Sequence, residues 1–272
     1  MTLLTDLVGR IRGRDPCSAK LTRLDLAEGP VYAVGDVHGC RMLLRGLDAM
    51  IESDSAQFGK RAHIVLLGDM VDRGPDTAGL MDDLLRPLTW ATRLAVRGNH
   101  EEMMLSFLKD PARNAVWLEQ GGYETLRSYG LALHTNDLLA LPRRRLGQML
   151  SAHLPEYHLA WLRALPAGFV VSLNGQDWVL AHAGFDPDRS VDDQPETALV
   201  WGARVPGPGA AIGLVHGHVI QTVVQSVGTC IGIDTGAYKT GVLTALRFAE
   251  GEAVCVLSYA TPSGSPRSPF IC

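Results

Sequence analysis

The chain has 272 residues, 46% of them hydrophobic and 20% charged, with a formal net charge of -4 and a pI near 6.1. Such a chain can bury a sizeable core in one large domain, or in one domain that carries an insertion. Its mild acidity excludes unspecific nucleic-acid binding, and the lack of any run of about 18 apolar residues excludes a membrane-spanning helix.

Residues 1–29 read as an N-terminal extension. The stretch 1–14 lacks the apolar segment of a secretory signal. Its Arg10, Arg12 and Arg14 belong to a loosely docked terminus rather than a partner site. From there the text alternates. Residues 31–34 form a short apolar strand and 42–51 a helix. A second strand at 64–67 precedes a helix at 77–85 that Pro87 ends, and a third at 94–96 leads into a helix at 101–108. This alternation predicts a layered α/β core. Residues from about 110 to 165 read as helical (114–120, 123–128, 144–151 and 156–165) and are taken as a subdomain inserted in the sheet. Strands follow at 169–173, 178–181, 214–215, 230–233, 242–248 and 253–259. Asn174-Gly175 marks a hairpin turn between the first two, and residues 249–252 mark another. The Ser/Pro-rich tail 261–272 reads as poorly ordered, which leaves 30–260 as the catalytic domain. The five cysteines, Cys17, Cys40, Cys230, Cys255 and Cys272, form neither a CxxC pair nor an even framework. That suits a reducing, cytoplasmic setting.

Six apolar runs break off into clusters of Asp, His, Asn and Gly. They are Gly35-Asp36-Val37-His38-Gly39, Gly68-Asp69-Met70-Val71-Asp72-Arg73-Gly74, Gly98-Asn99-His100-Glu101, His182-Ala183-Gly184, His216-Gly217-His218 and Asp234-Thr235-Gly236. Each follows an apolar run, so each emerges at a strand's carboxyl end, where open α/β sheets gather ligands. Singly, most have bland explanations. Asp after Gly is often a turn former or helix cap, and Glu101 and Glu102 at a helix start complement the dipole. Ordered recurrence at successive strand ends argues for a shared site instead.

The residue types supply hard oxygen and imidazole ligands, a spare acid and phosphate-binding arginines. That set suits a two-metal phosphoesterase. Asp36, His38 and Asp69 would hold one ion; Asp69, Asn99, His182 and His218 the other. Asp69 is assigned the bridge because it lies between the two groups in chain order. Imidazole and oxygen ligands without thiolate favour two divalent ions of the Mn2+ type, with Fe or Zn as alternatives. A hydroxide held by the pair would attack phosphorus. His100 would protonate the leaving oxygen, with Asp72 orienting it, and Arg73 and Arg204 would grip phosphate oxygens. His216 and His218 have the same parity, so strand alternation does not choose between them. His63, His134, His153 and His158 show no ligand spacing, Cys40 reads as a small buried hydrophobe, and residues 143–145 as a solvated helix face.

The three patterns Gly-Asp-x-His-Gly, Gly-Asp-x-x-Asp-Arg-Gly and Gly-Asn-His-Glu, all intact between Gly35 and Glu101, resemble the phosphoprotein phosphatase family of calcineurin-like metallophosphoesterases. The resemblance runs from about Val31 to Gly236. It implies an α/β fold of four layers, a β-sandwich flanked by helices, with Asp36, His38, Asp69, Asn99, His182 and His218 as metal ligands, His100 with Asp72 as the proton-donating pair, and Arg73 on phosphate. The family's Gly-His pattern favours His218 over His216. Trp201-Gly202-Ala203-Arg204 is similar to the bacterial form of the second phosphate arginine. His182-Ala183-Gly184 and Ile233-Asp234-Thr235-Gly236 look bacterial or phage-like. The leading expectation is a phosphatase acting on phosphoserine and phosphothreonine in proteins or peptides, and on small phosphate esters. The alternative is a nucleotide hydrolase resembling diadenosine tetraphosphatases, against which Asp72 and Glu101 argue. A catalytically dead scaffold would have lost ligands, and none is missing.

Overall fold

The computed structural model describes residues 18–19, 21–131, 140–202, 204–207, 209–261 and 270–271. Its strands, in chain order, are β1 (Ser18–Ala19), β2 (Thr22–Leu24), β3 (Val31–Val34), β4 (Ala62–Leu66), β5 (Ala91–Ala95), β6 (Gly168–Leu173), β7 (Gln176–Ala181), β8 (Gln194–Pro195), β9 (Gly213–His216), β10 (Gln225–Val227), β11 (Cys230–Gly232), β12 (Val242–Phe248), β13 (Cys255–Ala260) and β14 (Phe270–Ile271). Its helices are α1 (Arg41–Ser55), α2 (Thr77–Leu85), α3 (Asn99–Lys109), α4 (Tyr123–Ser128), α5 (Arg143–His153), α6 (Glu156–Ala164), α7 (Glu196–Trp201) and α8 (Ala237–Thr240).

Two six-stranded sheets face each other. One has the order β14-β13-β12-β3-β4-β5 and the other β10-β11-β9-β7-β6-β2, while β1 and β8 form a small ribbon. Alternation along the strands builds the layers. Val31 and Ala33 of β3, with Val65 and Leu67 from β4 and its end, enter the core between the sheets with Phe169, Leu180, Val215 and Phe248. Tyr32, Val34, Ile64 and Leu66 point the other way, into the helical layer of Leu44, Leu47, Leu80 and Met104. A third cluster packs Leu199 and Val200 of α7 on the outer face of the second sheet, against Val170 and Val179. The order is therefore helices, sheet, sheet, helix, as the family resemblance implied.

Strands β3, β4 and β5 pair in parallel, as do β7 and β9. Their carboxyl ends bring Gly35, Gly68, Gly98, His182 and Gly217 to one edge of the sandwich. Asn174 and Gly175 both have positive φ, 53° and 80°, as the expected hairpin turn requires.

The helical stretch after residue 110 is not a body apart. Trp117, Leu126, Leu146, Leu150 and Leu162 share one core with Leu44 and Leu80. Within it, the expected helix at 114–120 gives way to a π-helical turn over Leu118–Gly122, interrupted at Gly121. Phe270–Ile271 pairs with β13 and the Thr261 amide donates to Gly241 O; residues 262–269 and 272, and the extension before Ser18, lie outside the described residues. Cys40 and Cys230 are buried free thiols, but Cys255 is disulfide-bonded. No helix among the described residues is long and apolar enough to cross a membrane.

Candidate active site

Backbone strain marks the site before any side chain is considered. Non-glycine residues rarely adopt positive φ, and each such residue costs roughly 1–3 kcal/mol. Among the described residues it occurs at His38 (45°), Asp69 (47°), Asp72 (73°), Arg73 (66°) and His218 (65°), and otherwise only at the hairpin Asn174. The turns are also tightly packed. A Cβ on Gly217 would sit 1.9 Å from Asp36 Oδ1, and one on Gly98 would sit 2.2 Å from Asp69 Oδ1. The glycines of these motifs admit the carboxylates.

Two groups of ligand atoms share Asp69. His38, Asp69 and His100 form one, and Asp69, His182 and His218 the other; within each, all the atoms lie within 4.8 Å of one another. The imidazoles are oriented by backbone carbonyls, which can only accept. His38 Nδ1 donates to Val71 O at 2.8 Å, and His182 Nδ1 donates to Leu67 O at 2.8 Å. Each neutral ring therefore turns an Nε2 lone pair inward, to 3.6 Å from Asp69 Oδ2 and 3.4 Å from Asp69 Oδ1. Asn99 Oδ1 lies 2.8 Å from His182 Nε2 and 3.0 Å from His218 Nδ1. The His218 amide donates to both oxygens of Asp36, at 3.2 and 3.1 Å. Converging lone pairs of this kind call for a cation.

Burial explains the protonation states. It pushes His38 down to about 3 and His218 to about 4, and it lowers His182 as well, so all three are in the neutral, metal-ligating form. It raises Asp36, Asp234 and Glu101, whereas in Asp69 the neighbouring His182, His100 and His38 outweigh burial and hold the carboxyl below its ordinary value. Asp36 stands well above its ordinary value through burial and repulsion by Asp234 and Asp69. Asp234 rises to about 6 and Glu101 to about 7, again chiefly by burial. The donor set fits two divalent ions: Asp36, His38 and Asp69 could hold one, and Asp69, Asn99, His182 and His218 the other.

A second constellation adjoins the first. His100 Nδ1 donates to Asp72 Oδ2 at 2.7 Å. Asp72 also accepts from Trp117 Nε1 and Thr125 Oγ1, each at 2.8 Å, while its amide donates to Thr125 Oγ1 at 2.8 Å. Burial pushes the His100 imidazole down, but Asp69 and Asp72 together outweigh it and the ring ends above its ordinary value. Arg73 reaches both groups, donating to His38 Nε2 at 2.9 Å and to His100 Nε2 at 2.8 Å.

Nine of the ten expected site residues thus meet at one edge. Arg204 is the exception, engaged by other carboxylates in this structure. Its guanidinium is half exposed and ion-paired with Asp188 at 2.5 Å and Asp186 at 3.2 Å, partners supplied by its own side of the fold. His218 joins the cluster and His216 does not: β9 ends at His216, whose Nδ1 donates to Gly217 O, and the positive-φ turn beyond re-aims His218. His158 bonds Tyr129 and Asp82, His153 bonds Met149 O, and His134 lies outside the described residues. Burial raises the Cys40 thiol to about 11, as befits an inert residue.

Four residues of the site were not assigned from the sequence. Glu101 is fully buried and accepts from the amides of Gly98, Asp69, Met70 and Val71 at 2.7–3.1 Å. Its position in the third motif was the available signal. Asp234, 1% exposed, stood in the sixth motif without a role. Trp117 and Thr125 left no local signal, because they arrive through the helical insertion.

A family model for calcineurin-like phosphoesterases matches residues 29–221. The chain is 25% identical to an asymmetrical bis(5'-nucleosyl)-tetraphosphatase of Oceanobacillus iheyensis, over 88% of this chain and 93% of that one. It is 27% identical to serine/threonine-protein phosphatase 2 of Salmonella typhimurium, over 79% of this chain and 90% of that one. Among solved structures, a cold-active protein tyrosine phosphatase variant superposes with a TM-score of 0.53 at 16% identity, covering 89% of this chain and 83% of that chain; this likeness speaks for the fold alone.

Proposed function

The chain belongs to the calcineurin-like phosphoesterase family, and from that premise we propose a metal-dependent phosphatase that hydrolyses phosphoserine and phosphothreonine monoesters. The observation that carries the reading is the pair of buried ligand groups sharing Asp69. Asp36, His38 and Asp69 would hold the first divalent ion; Asp69, Asn99, His182 and His218 would hold the second. Mn2+ is the proposed metal, ahead of Fe or Zn. A bound pair of this kind supplies Lewis acidity to the phosphoryl group and acidifies water to near neutrality.

The chain's own residues do the rest. Arg73 grips phosphate oxygens, because its fork already lies between the two histidines facing the ligand groups. His100 delivers a proton from Nε2 to the departing oxygen. Asp72 holds the imidazole in the tautomer with Nδ1–H and favours its charged form. Trp117 and Thr125 fix Asp72 in turn, and Glu101 clamps the strained turn that aims Asp69. Residues 30–260 are the proposed catalytic unit.

A second reading has specific support, since the match to the tetraphosphatase covers 88% of the chain. It is the hydrolysis of dinucleoside polyphosphates at the same site. Chelator-stripped protein reloaded with Mn2+, Zn2+ or Fe2+ and assayed on a phosphoserine peptide and on diadenosine tetraphosphate tests both. The first reading expects Mn2+-dependent phosphate release from the peptide to dominate. Turnover of the dinucleotide alone supports the second, and metal-independent or absent turnover removes both.

A further inference from the structure

The helical insertion touches the site through two adjacent glycines. Neighbouring glycines weaken a helix, and Gly121-Gly122 sit where the helix is already irregular. The Tyr123 amide donates to Leu118 O, closing the π-helical turn over Leu118–Gly122, and Gly121 inside it has φ 114° and ψ 2°. Such turns recur at functional sites. This one lies against the second motif: Gly121 O accepts from the Arg73 amide at 3.2 Å.

Neither glycine leaves room for a side chain, and different neighbours fill the two places. A Cβ on Gly121 would meet Arg73 N at 2.6 Å, Arg73 Cγ at 2.7 Å and Asp72 Cβ at 3.0 Å. Asp72 and Arg73 are themselves in the left-handed region, at φ 73° and 66°, and such a turn persists only when its surroundings hold it. A Cβ on Gly122 would instead meet the Trp117 indole, 2.6 Å from Cδ2. Trp117 Nε1 donates to Asp72 Oδ2, which in turn holds His100. Gly121 therefore backs the arginine that lies between His38 and His100, and Gly122 backs the indole that steers His100. Asp69 is held independently, because Glu101 clamps its turn.

We propose that Gly121 and Gly122 are a positioning pair through which the insertion aims two side chains of the site, Gly121 setting Arg73 on the phosphate oxygens and Gly122 setting His100 through Trp117 and Asp72. This rests on the phosphoesterase reading of the site. The two glycines then have separable effects. One governs how tightly phosphate is held, the other how the leaving oxygen is protonated, and neither governs the metals.

Calorimetry with inorganic phosphate on Mn2+-loaded protein, beside elemental analysis of the bound metal, separates these effects. Gly121→Ala should hold phosphate roughly 10–100-fold more weakly with its metal content unchanged, and should lose nothing further in an Arg73→Ala background. Gly122→Ala should bind phosphate and metal as the wild type does, but lose roughly 10–100-fold in kcat on an alkyl phosphate and little on p-nitrophenyl phosphate. Unchanged phosphate affinity in Gly121→Ala, or a parallel loss of phosphate affinity and metal in either variant, overturns the inference while leaving the site reading intact. If Gly121→Ala does not fold, Gly122→Ala decides: equal losses on the two esters, or no loss on either, overturn the pair. If the wild type binds neither Mn2+ nor phosphate, the site reading falls and the positioning pair falls with it.

Discussion

Asp72 and His100 meet at 2.7 Å, and that contact governs how the proposed acid responds to pH. The Asp72 charge and hydrogen bond raise the His100 pKa. A general acid must be protonated, so activity falls as pH rises through that pKa. Removing the Asp72 charge lowers it. Asp72→Asn should therefore move the alkaline limb of the kcat profile to lower pH, and an unmoved limb would mean that another group donates the proton. His100→Asn should keep its metal while losing roughly 10²–10⁴-fold in kcat on alkyl phosphates, less on a good leaving group such as p-nitrophenol. Glu101→Gln exchanges an acceptor oxygen for an NH2 group that cannot accept from the clamped amides. Metal affinity measured by calorimetry should drop on the order of 10–100-fold, as for other residues that orient ligands. Equal affinity would make Glu101 only a helix-start residue.

Between elements, the helical insertion gives the clearest coupling of packing to chemistry. Trp117 is fully buried, packs its ring 4.8 Å from Phe107 and donates to Asp72. The pairing of α1 with α2 is a simpler case. Asp83 accepts from Arg41 Nε at 2.6 Å and Arg45 Nε at 2.7 Å. Burial alone would raise this carboxyl, but the two arginines outweigh it and hold it below its ordinary value. A depressed carboxyl pKa stabilises the fold above the unfolded pKa, and the gain is lost as pH falls through the folded one. Asp83→Asn should thus lower stability by about 1 kcal/mol at neutral pH, allowing for partial solvent screening. In urea melts the gap should close below about pH 4, the unfolded value of a free aspartate; a gap independent of pH would contradict the ion-pair account.

Much of this level was legible in the sequence. Strand β12 and helices α2 and α4 fall where the sequence put them: β12 is a largely apolar run buried on both faces, and α2 buries one face and ends before Pro87. The first residues of α3 were missed, since Asn99 and His100 read as site residues rather than as a helix start. Helix α7 has only six residues after Pro195, too few to show a period. Strand β10 is exposed throughout, so no burial pattern betrays it.

At the scale of the molecule, two sheets turn the carboxyl ends of their parallel strands to one edge, and motifs as far apart in the chain as Asp36 and His218, 182 residues, come into contact there. The motif residues were readable because they fall in short glycine-bearing clusters directly after apolar runs. Trp117 and Thr125 were not, because long-range packing alone brings them to the edge. Arg204 pairs with Asp186 and Asp188 instead of joining that cluster.

The shared role of Asp69 is the claim on which the chemistry turns, and anomalous diffraction at the manganese edge from Mn2+-soaked crystals tests it most directly. The prediction is two peaks about 3.5–4 Å apart, one against Asp36 and His38, the other against Asn99, His182 and His218, with the Asp69 carboxylate between them. A single peak, or two peaks that leave Asp69 uncoordinated, would contradict it.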